Sequence, residues 1–308
     1  AGAFASPLLV RVSLPEGTPE VPGGAVPVPG LGTQIQDHAV WGEVPEATIA
    51  LDWVEEPGSY ADGTPYSLRR PVLSITLADG DPLPSEVLTS PRIPPPVFGL
   101  GLLEAIPEAA ILALADPEDA DGDGISGRPN LVWDVERGAT VLGRFGWKAN
   151  NPSLLQQTAG AYAEDMGVRS PLLPGPGGES EIDAETLAVA TFYVQTLAVP
   201  APDRWHAADV RAGARHFRRI GCAACHVEEL STGDHPIAAL RDQSIRPYTD
   251  LLLHDMGPGL ADGRPDFQAS GSEWRTAPLW GLGLTWTVNP QATLLHDGRA
   301  RTIEEAIL

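Results

Sequence analysis

Only two cysteines occur in this 308-residue chain, too few for the disulfide framework with which small secreted domains make up for a thin core. No apolar run approaches the ~18 residues needed to span a bilayer, so no transmembrane segment is expected within these residues. Basic charge is also scarce: 20 Lys and Arg stand against 41 Asp and Glu, a formal net charge of −21. That balance repels phosphate backbones, and no basic stripe with interleaved aromatics offsets it, which argues against nucleic acid as a partner. The one basic cluster, Arg211, Arg215, Arg218 and Arg219, adjoins the cysteines and reads as a solvated helix face or as the counter-charge of a local anion. There is no initiator Met or signal peptide at Ala1, and the chain stops inside an apolar, helix-like pattern; it is read as a fragment or processed chain whose compartment that absence leaves open.

Apolar residues are plentiful at 43%, enough for a globular core, and the length suits one large or two ordinary domains. Gly (33) and Pro (31) together promise many chain reversals and short elements. Residues 1–90 carry strand-like runs, "LLVRVSL", "ATIALDWV" and "PVLSITLADG", separated by turn clusters. Helical patterns follow at 100–115, with Pro107 near the start, and in "PSLLQQTAGAYAEDMG", which Gly167 stops. A Gly/Pro linker at 171–180 marks a boundary. Beyond it Asp183 resembles an N-cap for a helix with Ile182, Val189, Phe192 and Leu197 as buried candidates, and a helix over 203–220 aligns Val210, Gly213 and Phe217. "SPRIPPPVFGLGLLEAIPEAAI" (90–111) and "SEWRTAPLWGLGLTWTVNPQAT" (272–293) share an Arg, a Pro, an aromatic and Gly-Leu-Gly-Leu in similar order. This echo reads as a pseudo-repeat and implies two related domains.

Both thiols fall in Cys222-Ala-Ala-Cys225-His226. C-x-x-C-H places them so that they can form thioethers to the two vinyl groups of a haem while the adjacent imidazole binds the iron. Three other chemistries use such a pair. A thioredoxin-like redox couple wants a βαβ context, a zinc site needs a further ligand such as His216, His235 or His254, and a disulfide here would close too small a loop to stabilise much. Separately, "DPEDADGDGISG" sets Asp119, Asp121 and Asp123 at alternate positions before Gly124, as calcium loops do, but Asn130 stands where such a loop has its Glu.

Gly213, Ala214, Phe217, Cys222, Cys225 and His226 together look like a c-type cytochrome segment. "LHDGRARTIEEAI" is similar to the C-terminal segment of bacterial di-haem cytochrome c peroxidases and their MauG-like relatives. "GLGLLEAIPE", "DADGDGISGRPN", "GRFGWKA", "YTDLLLHDMGPGLADG" and "WRTAPLWGLG" in this order resemble the di-haem oxidoreductase family often labelled thiol-oxidoreductase-like, over most of residues 60–308. The resemblance implies a mainly α fold of cytochrome c-like domains with long loops and a small β-rich N-terminal region. Residues 1–178 would be the remainder of an N-terminal haem domain with a β-rich insertion and the calcium loop, and 179–308 a C-terminal domain with covalent haem c. Family members look like chains with two C-x-x-C-H motifs; this one has a single motif, so the other is expected upstream of Ala1, with a mono-haem variant as the alternative.

The implied activity is electron transfer from an electron-donor protein or small redox substrate, through the haem at Cys222, Cys225 and His226, to a second haem that reacts with peroxide or another oxidant; a pure electron carrier is the alternative. Met256, His254 and His296 are candidates for the second axial position, and in the peroxidases that ligand follows the segment resembling 295–307. Trp147 resembles the tryptophan between the two haems, and Glu164 and Asp165 resemble the carboxylate that serves as acid and base in peroxide cleavage. Because haem is attached outside the cytoplasm, the resemblance implies a periplasmic or otherwise exported protein.

Overall fold

The computed structural model describes residues 8–202 and 204–308. β1 (Leu9–Ser13) is the centre of a three-stranded antiparallel sheet, flanked by β2 (Gln34–Ile35) and β5 (Leu88–Arg92). Between them β3 (Ala47–Ser59) and β4 (Pro65–Leu77) pair along their whole length as a ribbon. Val10, Val12, Val28, Ile35, Ala47 and Val87 form the core of this region. The alternation that marks these runs in sequence is that of half-buried strands.

The C-terminal segment clamps the ribbon. The Arg69 guanidinium lies 3.9 Å from the Trp53 ring and donates to the carbonyls of Gly298 and Arg299, and Arg301 pairs with Glu55 at 2.9 Å.

The remainder is short elements joined by long loops. Pro107 divides the 100–115 run into α1 (Leu100–Glu104) and α2 (Glu108–Leu112), because a helix cannot pass through a residue that lacks an amide proton. β6 (Leu131–Asp134) and β7 (Ala139–Leu142) form a hairpin. α3 (Leu154–Asp165), α4 (Ala184–Thr196) and α5 (Ala208–Arg219) are the three longer helices; Ser153 caps α3 and Asp183 caps α4. Two small antiparallel pairs follow, β8 (Leu230–Ser231) with β9 (Ser244–Ile245) and β10 (Leu253–Asp255) with β11 (Glu273–Arg275).

A mainly α architecture of cytochrome c-like domains is therefore not what forms. Helix accounts for 22% and strand for 23%, and the helices are short. Glycines at positive φ and prolines stop helices that the apolar spacing would otherwise continue. The burial expected along α4 also differs: Val189 and Phe192 are 63% and 54% exposed, while Leu187 and Thr191 face inward. α5 buries no residue. The main core draws on both sides of the Gly/Pro linker, joining Leu103, Phe145 and Leu154 to Leu230, Leu251 and Leu252.

The two echoing segments meet. Gly99 and Gly281 precede α1 and a 3-10 turn at Leu282–Leu284 with nearly the same backbone, φ 75 and ψ 0 against φ 73 and ψ −6. Each glycine lies under the aromatic of the other segment: a Cβ on Gly99 would sit 2.5 Å from Trp280, and one on Gly281 would sit 2.5 Å from Phe98.

A second junction is ionic. Arg92 and Arg264 both pair with Asp266, at 3.0 and 3.3 Å. Lys148, the single lysine of the chain, is wholly buried; its Nζ donates to the carbonyls of Ser270 (2.6 Å) and Glu273 (3.1 Å) and lies 3.4 Å from Asp262.

Two outcomes follow from these junctions. Gly281→Ala should cost about 1–3 kcal/mol, from a left-handed residue and an overpacked contact, and in a Phe98→Ala background only the backbone part should remain, as urea denaturation of the four variants will show. Burial pushes Lys148 down to about 8, with Asp262 opposing. Between that value and the ordinary lysine value the unfolded chain holds more protons than the folded one. The stability difference between wild type and Lys148→Met should thus move in favour of wild type as pH rises from about 8 to about 10.4, and a flat difference would refute the assignment.

Candidate haem site

α5 delivers the chain to Gly221, whose left-handed conformation turns it into a 3-10 turn over Cys222–Ala224. His226 follows at once, its amide bonded to the Cys222 carbonyl at 3.0 Å, so both cysteines and the imidazole are held in one compact turn. Both thiols are free and partly accessible. The Nδ1 of His226 lies 2.8 Å from the carbonyl of Tyr248. A carbonyl can only accept, so Nδ1 carries a proton, which leaves Nε2 as the ring nitrogen that can bind a metal. Burial pushes the His226 pKa down, against the pull of the Tyr248 carbonyl, which keeps the ring neutral at pH 7. Phe217 packs near this turn, 6.2 Å from the His226 ring and edge-on to Tyr248.

The His226 ring also faces the carbonyl of Ala277, and Ala277 lines an apolar cavity with Phe98, Leu103, Phe145, Trp147 and Trp280. The interlocked segments form its walls. Two polar side chains enter it, Gln157 and Arg275, and the Oε1 of Gln157 is buried without a partner. Two accessible thiols, a neutral imidazole and an adjoining apolar cavity with the Arg275 guanidinium in its wall fit a covalently attached haem.

The alternative uses of the thiols find less support. The cysteines are unbridged, and among the described residues they join no cluster of metal-binding donors. His254 comes within 3.6 Å of Cys225 Sγ, but its ring is already committed: Nδ1 lies 2.8 Å from the Ser126 carbonyl and Nε2 2.8 Å from Asp250. With acceptors at both nitrogens it is a cation. Burial opposes that charge, yet Asp250 and the Cys225 sulfur raise its pKa to about 10.

The other predicted residues lie as follows. Trp147 is in the cavity wall, its indole N–H donating to the Ile93 carbonyl at 2.7 Å. Met256 is 49% exposed. His296 is buried, stacked on Trp274 at 3.7 Å, and burial pushes it down to about 3 despite Asp297, so it is neutral.

Glu164 and Asp165 do not line the cavity; Glu164 pairs with Arg11 and accepts from Thr33, and Asp165 accepts from Gln34 at 2.9 Å. They tie α3 to the N-terminal sheet.

In the acidic loop, carboxylate oxygens of Asp116, Asp119 and Asp121 lie within 4.8 Å of one another, so Asp116 takes the place expected for Asp123. Asp116, Asp119 and Asp121 already accept the amides of Ala120, Gly124 and Asp123.

Arg275 and Gln157 went unnoticed in the sequence. Arg275 had a signal, since it is the arginine shared by the two echoing segments; Gln157 had none.

The turn and the cavity have the parts that a haem-binding oxidoreductase needs. The chain belongs to the family described as "di-haem oxidoreductase, putative peroxidase", which it matches over residues 15–185 and 175–308. No curated protein and no solved structure matches it.

Because Glu164 holds the sheet and stands outside the cavity, Glu164→Gln should lower stability by about 1 kcal/mol and leave oxidoreductase turnover unchanged. A large loss of turnover with unaltered stability would return Glu164 to the chemistry.

Proposed function

We propose that the chain carries haem c through thioethers from Cys222 and Cys225, with His226 as an iron ligand, and moves electrons between a donor and a second haem that reacts with peroxide or another oxidant. The observation that carries this reading is the single turn that holds both free thiols next to His226, whose Nδ1 donates to the Tyr248 carbonyl at 2.8 Å and leaves Nε2 as the ring nitrogen for iron. When bound, the haem supplies a one-electron iron couple whose potential its axial ligands set. His226 would offer Nε2 as one such ligand atom, and the Tyr248 carbonyl orients the ring by accepting from Nδ1–H. The cavity wall keeps water from this side of the group. Trp147, anchored at Ile93, offers an aromatic ring for electron passage between the two haems.

A second reading, an electron carrier without peroxide chemistry, is favoured by one observation: Glu164 and Asp165 are engaged with the N-terminal sheet. Among the described residues no carboxylate lines the cavity to act as acid or base. The donor is a redox protein or a small reductant. The location is periplasmic or otherwise exported, since thioether attachment takes place outside the cytoplasm. With a domain boundary near 178, the second haem belongs to the N-terminal part, while the cavity beside His226 takes its wall from both sides of that boundary. Calcium at the acidic loop would be held by Asp116, Asp119 and Asp121, whose carboxylate oxygens lie within 4.8 Å of one another.

The test is the full-length natural protein, matured with cytochrome c assembly machinery and examined by pyridine haemochrome analysis. Cys222→Ser and Cys225→Ser should each leave one thioether at this site, and the double variant should lose this covalent haem. An unchanged covalent haem content in the double variant would refute the site. Peroxide-dependent oxidation of a reduced donor would separate the enzyme from the carrier.

A further inference from the structure

Three arginines are buried among the described residues: Arg92, Arg264 and Arg275. Arg92 and Arg264 both reach Asp266, at 3.0 and 3.3 Å. Arg275, only 6% exposed, has no such partner. Its Nε donates to the Gly146 carbonyl at 2.8 Å and its Nη1 to the Thr276 carbonyl at 3.3 Å, both neutral acceptors. The one anion that acts on it appreciably is Asp250, whose carboxylate is taken by His254 Nε2 at 2.8 Å and the Leu252 amide at 2.9 Å. Burial therefore pushes Arg275 down to about 10, which still leaves it charged at neutral pH.

Proteins rarely keep a guanidinium in a dry interior without a counter-charge, since arginine cannot escape the cost by losing its proton. The echoing segment sharpens the contrast. Arg92 is the counterpart of Arg275 in the pseudo-repeat, and it finds its carboxylate within the protein. Arg275 instead lines the cavity. The missing anion must come from what the cavity holds.

We infer that Arg275 pairs with a propionate carboxylate of the haem attached at Cys222 and Cys225, fixing the orientation of that haem in the cavity between Trp147 and Trp280. The inference rests on the covalent-haem reading above. Ala277 makes the connection: it faces His226 and lines the same cavity as Arg275. A free anionic reductant would offer the same carboxylate chemistry from another source, and the experiment separates the two.

The full-length haem-loaded protein is compared with Arg275→Gln and Arg275→Lys. Pyridine haemochrome analysis comes first: a wild-type protein without covalent haem at Cys222 and Cys225 defeats the parent reading, an outcome distinct from those below. With haem attached, the pH dependence of its reduction potential reports the propionate ionisation. An ion pair holds that pKa low, so Arg275→Gln should raise it by about 1–3, and Arg275→Lys, which keeps the charge, should largely restore it. A redox-linked pKa unmoved in Arg275→Gln overturns the assignment. So does a rise in KM for ascorbate, as an anionic reductant, with the potential-versus-pH curve unchanged. Should Arg275→Gln not fold, the propionate-bending Raman band of the wild-type haem decides: a hydrogen-bonded frequency supports the pair, and a free one overturns it.

Discussion

The mutual contact of the two Gly-Leu-Gly-Leu segments is the constraint from which the site follows. Phe98 covers Gly281 while Trp280 covers Gly99, and neither contact tolerates a Cβ without displacement. Such a reciprocal fit fixes the separation of two stretches nearly two hundred residues apart. What lies beside it is then also fixed: the prolines before Phe98 and Trp280, the cavity that both aromatics line, and Ala277, which connects that cavity to His226. The cysteine turn and the cavity come from separate parts of the chain, and this packing is what makes them neighbours.

Charge is sorted around the site with some consistency. The protein is strongly acidic, yet its buried cations are placed with care. Arg92, Arg264 and Lys148 meet Asp262 and Asp266 at the junction between the N-terminal sheet and the C-terminal loops. His254 is cationic between Asp250 and the Ser126 carbonyl. His226 and His296 are neutral because burial outweighs their acceptors. Neutrality suits His226 as a ligand, since an imidazolium has no lone pair to give. A dry, low-dielectric surrounding also makes any unpaired charge conspicuous, which is why Arg275 stands out among the buried arginines.

The grouping of Cys222, Cys225 and His226 was legible because it is local: the three are covalently near, and one turn of backbone suffices to assemble them. Asp183 as a cap and the strands of residues 9–77 were legible for the same reason, since caps and alternation depend on a few adjacent residues. The mainly α expectation came with the family resemblance, whereas the runs read as helical from their spacing do form α1 to α5, and it is the long loops and strand pairs between them that lower the helix content. Val189 and Phe192 follow a helical period, but the face of α4 that turns inward is chosen by its neighbours. Glu164 and Asp165 show the same limit at the site. Their resemblance to a catalytic carboxylate lies in sequence order, whereas their partners Arg11, Thr33 and Gln34 come from a sheet more than a hundred residues away.

By itself, then, the sequence determined the chemistry that the chain can hold: two thiols and an imidazole in one turn, and two echoing segments with an arginine apiece. Tertiary structure alone decided which arginine would find a carboxylate, which nitrogen of His226 would keep its proton and which aromatics would wall the cavity. Each of those outcomes depends on groups distant in the chain, and only packing brings them within reach of one another.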